Sequence, residues 1–198
     1  DPAPEKVTFS TTKSDGFIIG YSNGYIGNTW RAQYVEDIQM RADLYKKAGI
    51  ISRFDLSNSP ADVTQQLTQI NAMISCGDYD AIIIDAVSAT SVGPAVERAK
   101  AKGMLVVIAN DLAPYPGTYN FAGNSFAIWT IEPEWIAEKL NGKGNIVMIS
   151  GLPGITGDTI RLNCAYEVLK KYPDIKILAQ VPGNWSPAIA QQGMTTLI

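Results

Sequence analysis

Asn28, Trp30 and Arg31 stand close together just after a short apolar run, Phe17-Ile18-Ile19-Gly20-Tyr21. The run reads as a strand and the residues after it as a loop leading into a helix. In an open α/β sheet, ligands bind beyond the carboxyl ends of the strands. An amide, a flat indole and a fixed positive charge at that place suit recognition rather than bond making. The loop lacks the glycine spacing of a dinucleotide or phosphate cradle. Its expected partner is a neutral polar molecule with a flat apolar face, not a phosphate. The chain contains no histidine, which removes the commonest general base and the commonest metal ligand. No nucleophile–base pair stands out, so neither catalysis, a metal nor a cofactor is expected.

The 198 residues are 46% apolar and 18% charged, with a net charge of −3. That balance supports a packed core. It argues against nucleic acid as the main partner, because phosphate binding needs a basic patch. No apolar run reaches the roughly 18 residues needed to cross a membrane. Two cysteines, Cys76 and Cys164, read as small buried apolar side chains rather than as a disulfide.

Strands and helices must alternate to position these groups. Phe17–Ser22 is a strand. Thr29–Ala48 is helical, with Val35, Ile38, Ala42 and Tyr45 on one face. Strands at Ile50–Phe54 and Ala81–Ile84 flank a helix that Pro60 opens. A helix over about Ala89–Lys102, a strand at Met104–Ile108 and a short strand at Tyr119–Ala122 complete the first series. Such a series folds as a doubly wound parallel sheet. After Gly123-Asn124 it starts again, with a helix over about Ser125–Leu140 that Pro133 should kink or restart. A strand at Asn145–Ser150, a helix at Thr156–Lys171, a strand at Ile175–Val181 and a helix from Pro187 follow. The second series holds only two strands. A βα unit takes about 30 residues, so a second lobe like the first lacks on the order of 100 residues. The expectation is an incomplete second lobe.

Several segments, in order, resemble the ribose-binding type of periplasmic solute-binding protein (type 1). Ser22–Arg31 is similar to that family's first ligand loop, where an Asn precedes one or two aromatics. Asp80–Asp85 resembles its third strand and loop, and Gly103–Asp111 its fourth strand, whose terminal Asp usually grips sugar hydroxyls. Gly151-Leu152-Pro153-Gly154 and then Arg161 resemble the second-lobe loop and helix start. Gly183-Asn184-Trp185 matches the place of a second aromatic. The resemblance implies two Rossmann-like lobes with parallel sheets, over 16–123 and 124–198, behind an N-terminal tail of 1–15. It also implies an extracytoplasmic, periplasmic location, with Asp1 as the mature end left by a cleaved leader. Its partners would be a carbohydrate or polyol and the membrane permease of an ABC importer, and the protein would be a monomer.

The site that follows from the resemblance comprises Asn28, Trp30, Arg31, Asp85, Asp111, Asp158, Thr159, Arg161 and Trp185. Trp30 and Trp185 would sandwich a sugar ring between the lobes. Asp111, able to accept from two neighbouring hydroxyls, would fix its polar edge. Asn28 equally suits a bare helix N-cap, Arg161 equally suits holding its own loop in place, and Tyr21 and Tyr25 read as packing residues. The chain departs from the family in having Asp111-Leu112 where an Asp-Arg pair is common, and Thr159 where ribose binders place an Arg. Arg31 stands where a second aromatic often sits, so ribose itself is not the expected ligand. Three rivals keep distinct classes open. The same fold could sense a ligand for a transcription regulator, although residues 1–15 are too short and acidic for its DNA-binding domain. A small α/β enzyme lacks its histidine. A tryptophan cage could hold a quaternary ammonium, which Arg31 disfavours.

Overall fold

A computed structural model describes residues 13–110, 113 and 115–197. Five strands form one parallel sheet: β1 (Phe17–Asn23), β2 (Ile51–Asn58), β3 (Ala81–Asp85), β4 (Leu105–Asn110) and β5 (Tyr119–Ala122), in the order β2-β1-β3-β4-β5. The helices α1 (Thr29–Lys47), α2 (Val63–Cys76) and α3 (Gly93–Ala101) connect the first four. Two further strands, β6 (Lys143–Ser150) and β7 (Asp174–Pro182), pair in parallel as a separate sheet. They are accompanied by α4 (Ser125–Lys139), α5 (Thr156–Leu169) and α6 (Pro187–Thr195). The sequence expectation of α/β units with parallel sheets agrees with this order.

Both faces of the larger sheet are covered, as parallel strands require. Ile70, Ile82, Ile84, Val96, Val106 and Ile108 form one core with α2 and α3. Tyr21, Val35, Ala42, Ile51 and Phe54 form the other with α1. Fully burying one such aliphatic side chain stabilises by about 1.5–3 kcal/mol. A smaller core of Ala137, Leu169 and Ile175 lies beneath the second sheet. The strand order reverses between β1 and β3, where Asn23 lies in register with Asp85. That reversal opens a crevice at the carboxyl ends of two adjacent strands.

Three local expectations need correction. First, α3 begins at Gly93 rather than near Ala89. The preceding turn is closed on itself: Ser91 N–H donates to Ser88 O at 3.1 Å, and its hydroxyl to the Ser88 hydroxyl at 3.0 Å. Such local hydroxyl bonds compete with helix. Second, Pro133 is buried inside a continuous α4 and neither ends nor restarts it. The helix packs along α5, which holds it together across the missing amide bond. Third, only Cys164 is buried; Cys76 ends α2 exposed, and both are free. No helix among the described residues is long and apolar enough to cross a membrane.

Candidate functional site

A cavity of about 560 Å³ lies between the carboxyl ends of the larger sheet and those of the second. The loop after β1 supplies Tyr25 and Asn28, and α1 supplies Trp30 and Arg31. Asn110 ends β4 on the same side. From across the cavity come Trp129 of α4, Ile160 and Arg161 of α5, and Trp185 beyond β7. Five residues expected from the sequence therefore line one space: Asn28, Trp30, Arg31, Arg161 and Trp185.

Asn28 also caps α1, its side-chain oxygen accepting from Arg31 N–H at 2.8 Å. The cap fixes the first turn and so aims the next residues. Trp30 is 58% exposed and stacks on Tyr34, with ring centroids 5.4 Å apart and planes 11° apart. Arg31 folds back instead of reaching into solvent. Its guanidinium lies 5.3 Å from the Trp30 ring and 5.5 Å from the Tyr34 ring. It is ion-paired with Asp85, donates to Asn23 Oδ1 at 3.3 Å, and is largely buried. Asn23 in turn donates to Asn58 Oδ1 at 2.8 Å and Tyr25 O at 2.6 Å. Gln66, buried in α2, donates to Asp85 O at 2.8 Å and accepts from Val87 N–H at 2.9 Å. Arg31 is thus held by groups from β1 and β3, with β2 fixing Asn23 through Asn58, and it also lines the cavity.

Arg161 lies against two indoles. Its guanidinium carbon lies 3.8 Å from the Trp129 ring centroid and 4.4 Å from that of Trp185. Trp185 and the preceding Asn184 both have left-handed backbone, at φ 56° and 51°. Such conformations are costly for residues other than glycine and collect at functional sites. Here they turn the indole over Gly151, where a Cβ would come within 2.0 Å of it. Each expected stacking tryptophan already has a protein partner, Tyr34 for Trp30 and Arg161 for Trp185.

Other expected residues fall elsewhere. Asp85 is 1% exposed and lies beneath Arg31, not on the cavity wall. Asp158 is buried, and its carboxylate accepts from Gly151 N–H at 2.5 Å, which ties down the loop after β6. A carboxylate near a helix start is also favoured by the helix dipole. Thr159 is exposed, bonds Ile155 O at 3.3 Å, and does not line the cavity. Asp111 lies outside the described residues. Tyr21 is fully buried in the core, as expected. Tyr25 lines the cavity, contrary to its reading as packing. Burial pushes the Tyr25 phenol up, with Arg31 opposing.

Trp129 and Asn110 were missed. Asn110 has φ 68°, a conformation in which Asn is enriched, and it directly precedes the acid expected to bind. Trp129 carries no spacing signal inside an apolar helix. Its role rests on Arg161, more than thirty residues later.

A family model described as a periplasmic binding protein domain matches residues 19–198. The xylitol-binding protein of Mycolicibacterium smegmatis is 38% identical over 147 residues, 72% of this chain and 41% of that protein. The multiple sugar-binding periplasmic receptor ChvE of Rhizobium radiobacter is 26% identical over 73% of this chain and 45% of its own. The crystal structure of an ABC transporter solute binding protein from Thermobispora bispora superposes with a TM-score of 0.84 at 26% identity. That match covers 92% of this chain and 57% of the other. The chain spans less than half the length of these two curated relatives. With the match running from β1 to the last residue, and the cavity at the strand ends where the fold binds ligands, the chain belongs to the periplasmic binding protein family.

Proposed function

We propose that this protein is an extracytoplasmic solute-binding protein that captures a sugar or polyol between two lobes and delivers it to an ABC importer permease. The first lobe is 16–123, and 124–198 is part of the second. The observation that carries this reading is the composition of the cavity wall. An amide (Asn28), two guanidinium groups (Arg31, Arg161) and three indoles (Trp30, Trp129, Trp185) reach one space from both sheets. Hydroxyl-rich ligands need in-plane donors for their oxygens, because a buried unpaired hydroxyl is costly. They need aromatic edges and faces for their C–H groups. Asp111, next to Asn110, supplies the acceptor. Closure of one lobe on the other by a hinge completes the shell and presents both lobes to the permease. Relatives named for xylitol and for multiple sugars support this class of ligand.

Isothermal calorimetry of the full-length protein against xylitol, ribitol, D-xylose, D-fructose and choline tests the reading. The expected result is one-to-one binding of a polyol or sugar, with the ligand recovered unchanged. Binding of choline alone, or conversion of a sugar to product, would overturn it.

A further inference from the structure

The Trp129–Arg161–Trp185 contact has a consequence for what the site selects. A guanidinium is planar, and all its N–H donors lie in that plane. The Arg161 guanidinium carbon lies over the Trp129 ring at 3.8 Å and over the Trp185 ring at 4.4 Å from their centroids. Both indoles pack against the group, and the group lines the cavity. The Trp185 face turned toward Arg161 is filled by it, so that face offers no open platform for a sugar ring. A free arginine has about 2 kcal/mol of rotamer entropy to lose on being fixed. Here the two rings hold it in advance.

Resting on the binding reading above, we infer that Trp129 is a positioning residue. It holds Arg161 at the cavity wall, so that the N–H donors of the guanidinium make the site discriminate by ligand oxygens rather than by an apolar ring face. Trp129 is half-buried, belongs to α4, and places its ring against the Arg161 guanidinium.

The test is calorimetry with xylitol on the full-length wild type, Trp129→Leu, Trp129→Phe, Arg161→Ala and the Leu/Ala double variant, with thermal midpoints measured alongside. Trp129→Leu is expected to weaken binding about tenfold, in line with a desolvated cation–π contact. Trp129→Phe, which keeps a face, should stay within about threefold of wild type. The double variant should bind no worse than Arg161→Ala alone, because both substitutions remove one interaction. Should Trp129→Leu fail to fold, Trp129→Gln repeats the loss with a side chain suited to a half-buried position. Wild-type affinity in Trp129→Leu or Trp129→Gln, or losses that multiply in the double variant, would overturn the inference. A wild type that binds neither xylitol nor any other member of the panel is a separate result, which removes the functional reading and this inference with it.

Discussion

The backbone N–H of Ala89 donates to the hydroxyl of Thr156 at 2.9 Å, joining the loop after β3 to the first residue of α5. The element pairs in closest packing all lie on one side or the other of this boundary. The Ala89 carbonyl is itself held by the Tyr115 hydroxyl. Thr156 sits between Ile155 and Gly157, both on the cavity wall. Thr156→Val removes the acceptor and leaves the amide facing a methyl group, a loss of about 1 kcal/mol or fivefold in affinity. Thr156→Ser restores the acceptor and should bind like wild type. Equal calorimetric affinities for Val and Ser variants would show that the bond does not bear on binding.

Asp85→Ala takes the carboxylate from Arg31 in a site where the two side chains are 1% and 10% exposed. Removing one partner of a buried pair destabilises by about 3 kcal/mol, since the remaining charge stays out of water. Urea unfolding followed by far-UV circular dichroism should show that loss. A midpoint equal to wild type would mean that Arg31 escapes to solvent at little cost.

The fold and the site were legible from the sequence to different depths. Apolar runs such as Ala81–Ile84 and caps such as Asn28 act locally, so strand positions and the start of α1 could be read from them. Arg31 could be placed beside the cavity because it follows a strand-end loop. Its burial against Asp85 could not, because that pairing depends on β1 and β3 being neighbours in register. Asp158 and Thr159 share the first turn of a helix, yet one is turned inward to Gly151 and the other outward. Helical rotation relative to the sheet decides that, and no short motif encodes it. Trp129 was invisible for the same reason, as its partner comes from another helix.

Gly151→Ala should act on ligand binding through Trp185. The added Cβ would approach the Trp185 ring to 2.0 Å, and the indole must move off Arg161. The expected outcome is weaker xylitol binding, by about tenfold. The tryptophan emission should also shift in the ligand-free protein. Unchanged emission and affinity would mean that the ring slides without releasing the guanidinium.

Tyr21→Phe should stabilise the fold. The Tyr21 hydroxyl is fully buried with no hydrogen-bond partner among the described residues. Deleting it relieves a desolvation cost of about 1 kcal/mol. Burial, with Tyr34 adding to it and Arg31 opposing, pushes the phenol well above its ordinary 10.0. A raised value in the folded state means that unfolding favours ionisation at high pH. Stability is therefore unaffected by this linkage below pH 10.0 and falls as pH rises from there toward the folded value. Thermal midpoints measured from neutral to strongly alkaline pH should fall less steeply in the Phe variant. A lower midpoint for that variant at neutral pH would show that the hydroxyl has a stabilising partner.

The most direct measurement is a crystal structure of the full-length protein grown with the tightest-binding member of the sugar and polyol panel. One ligand is expected in the cavity between the sheets, with its oxygens on Arg31 and Arg161. The indoles of Trp129 and Trp185 should still hold that guanidinium. A ligand seated away from both arginines, or one that displaces Arg161 to stack on Trp185, would contradict this expectation.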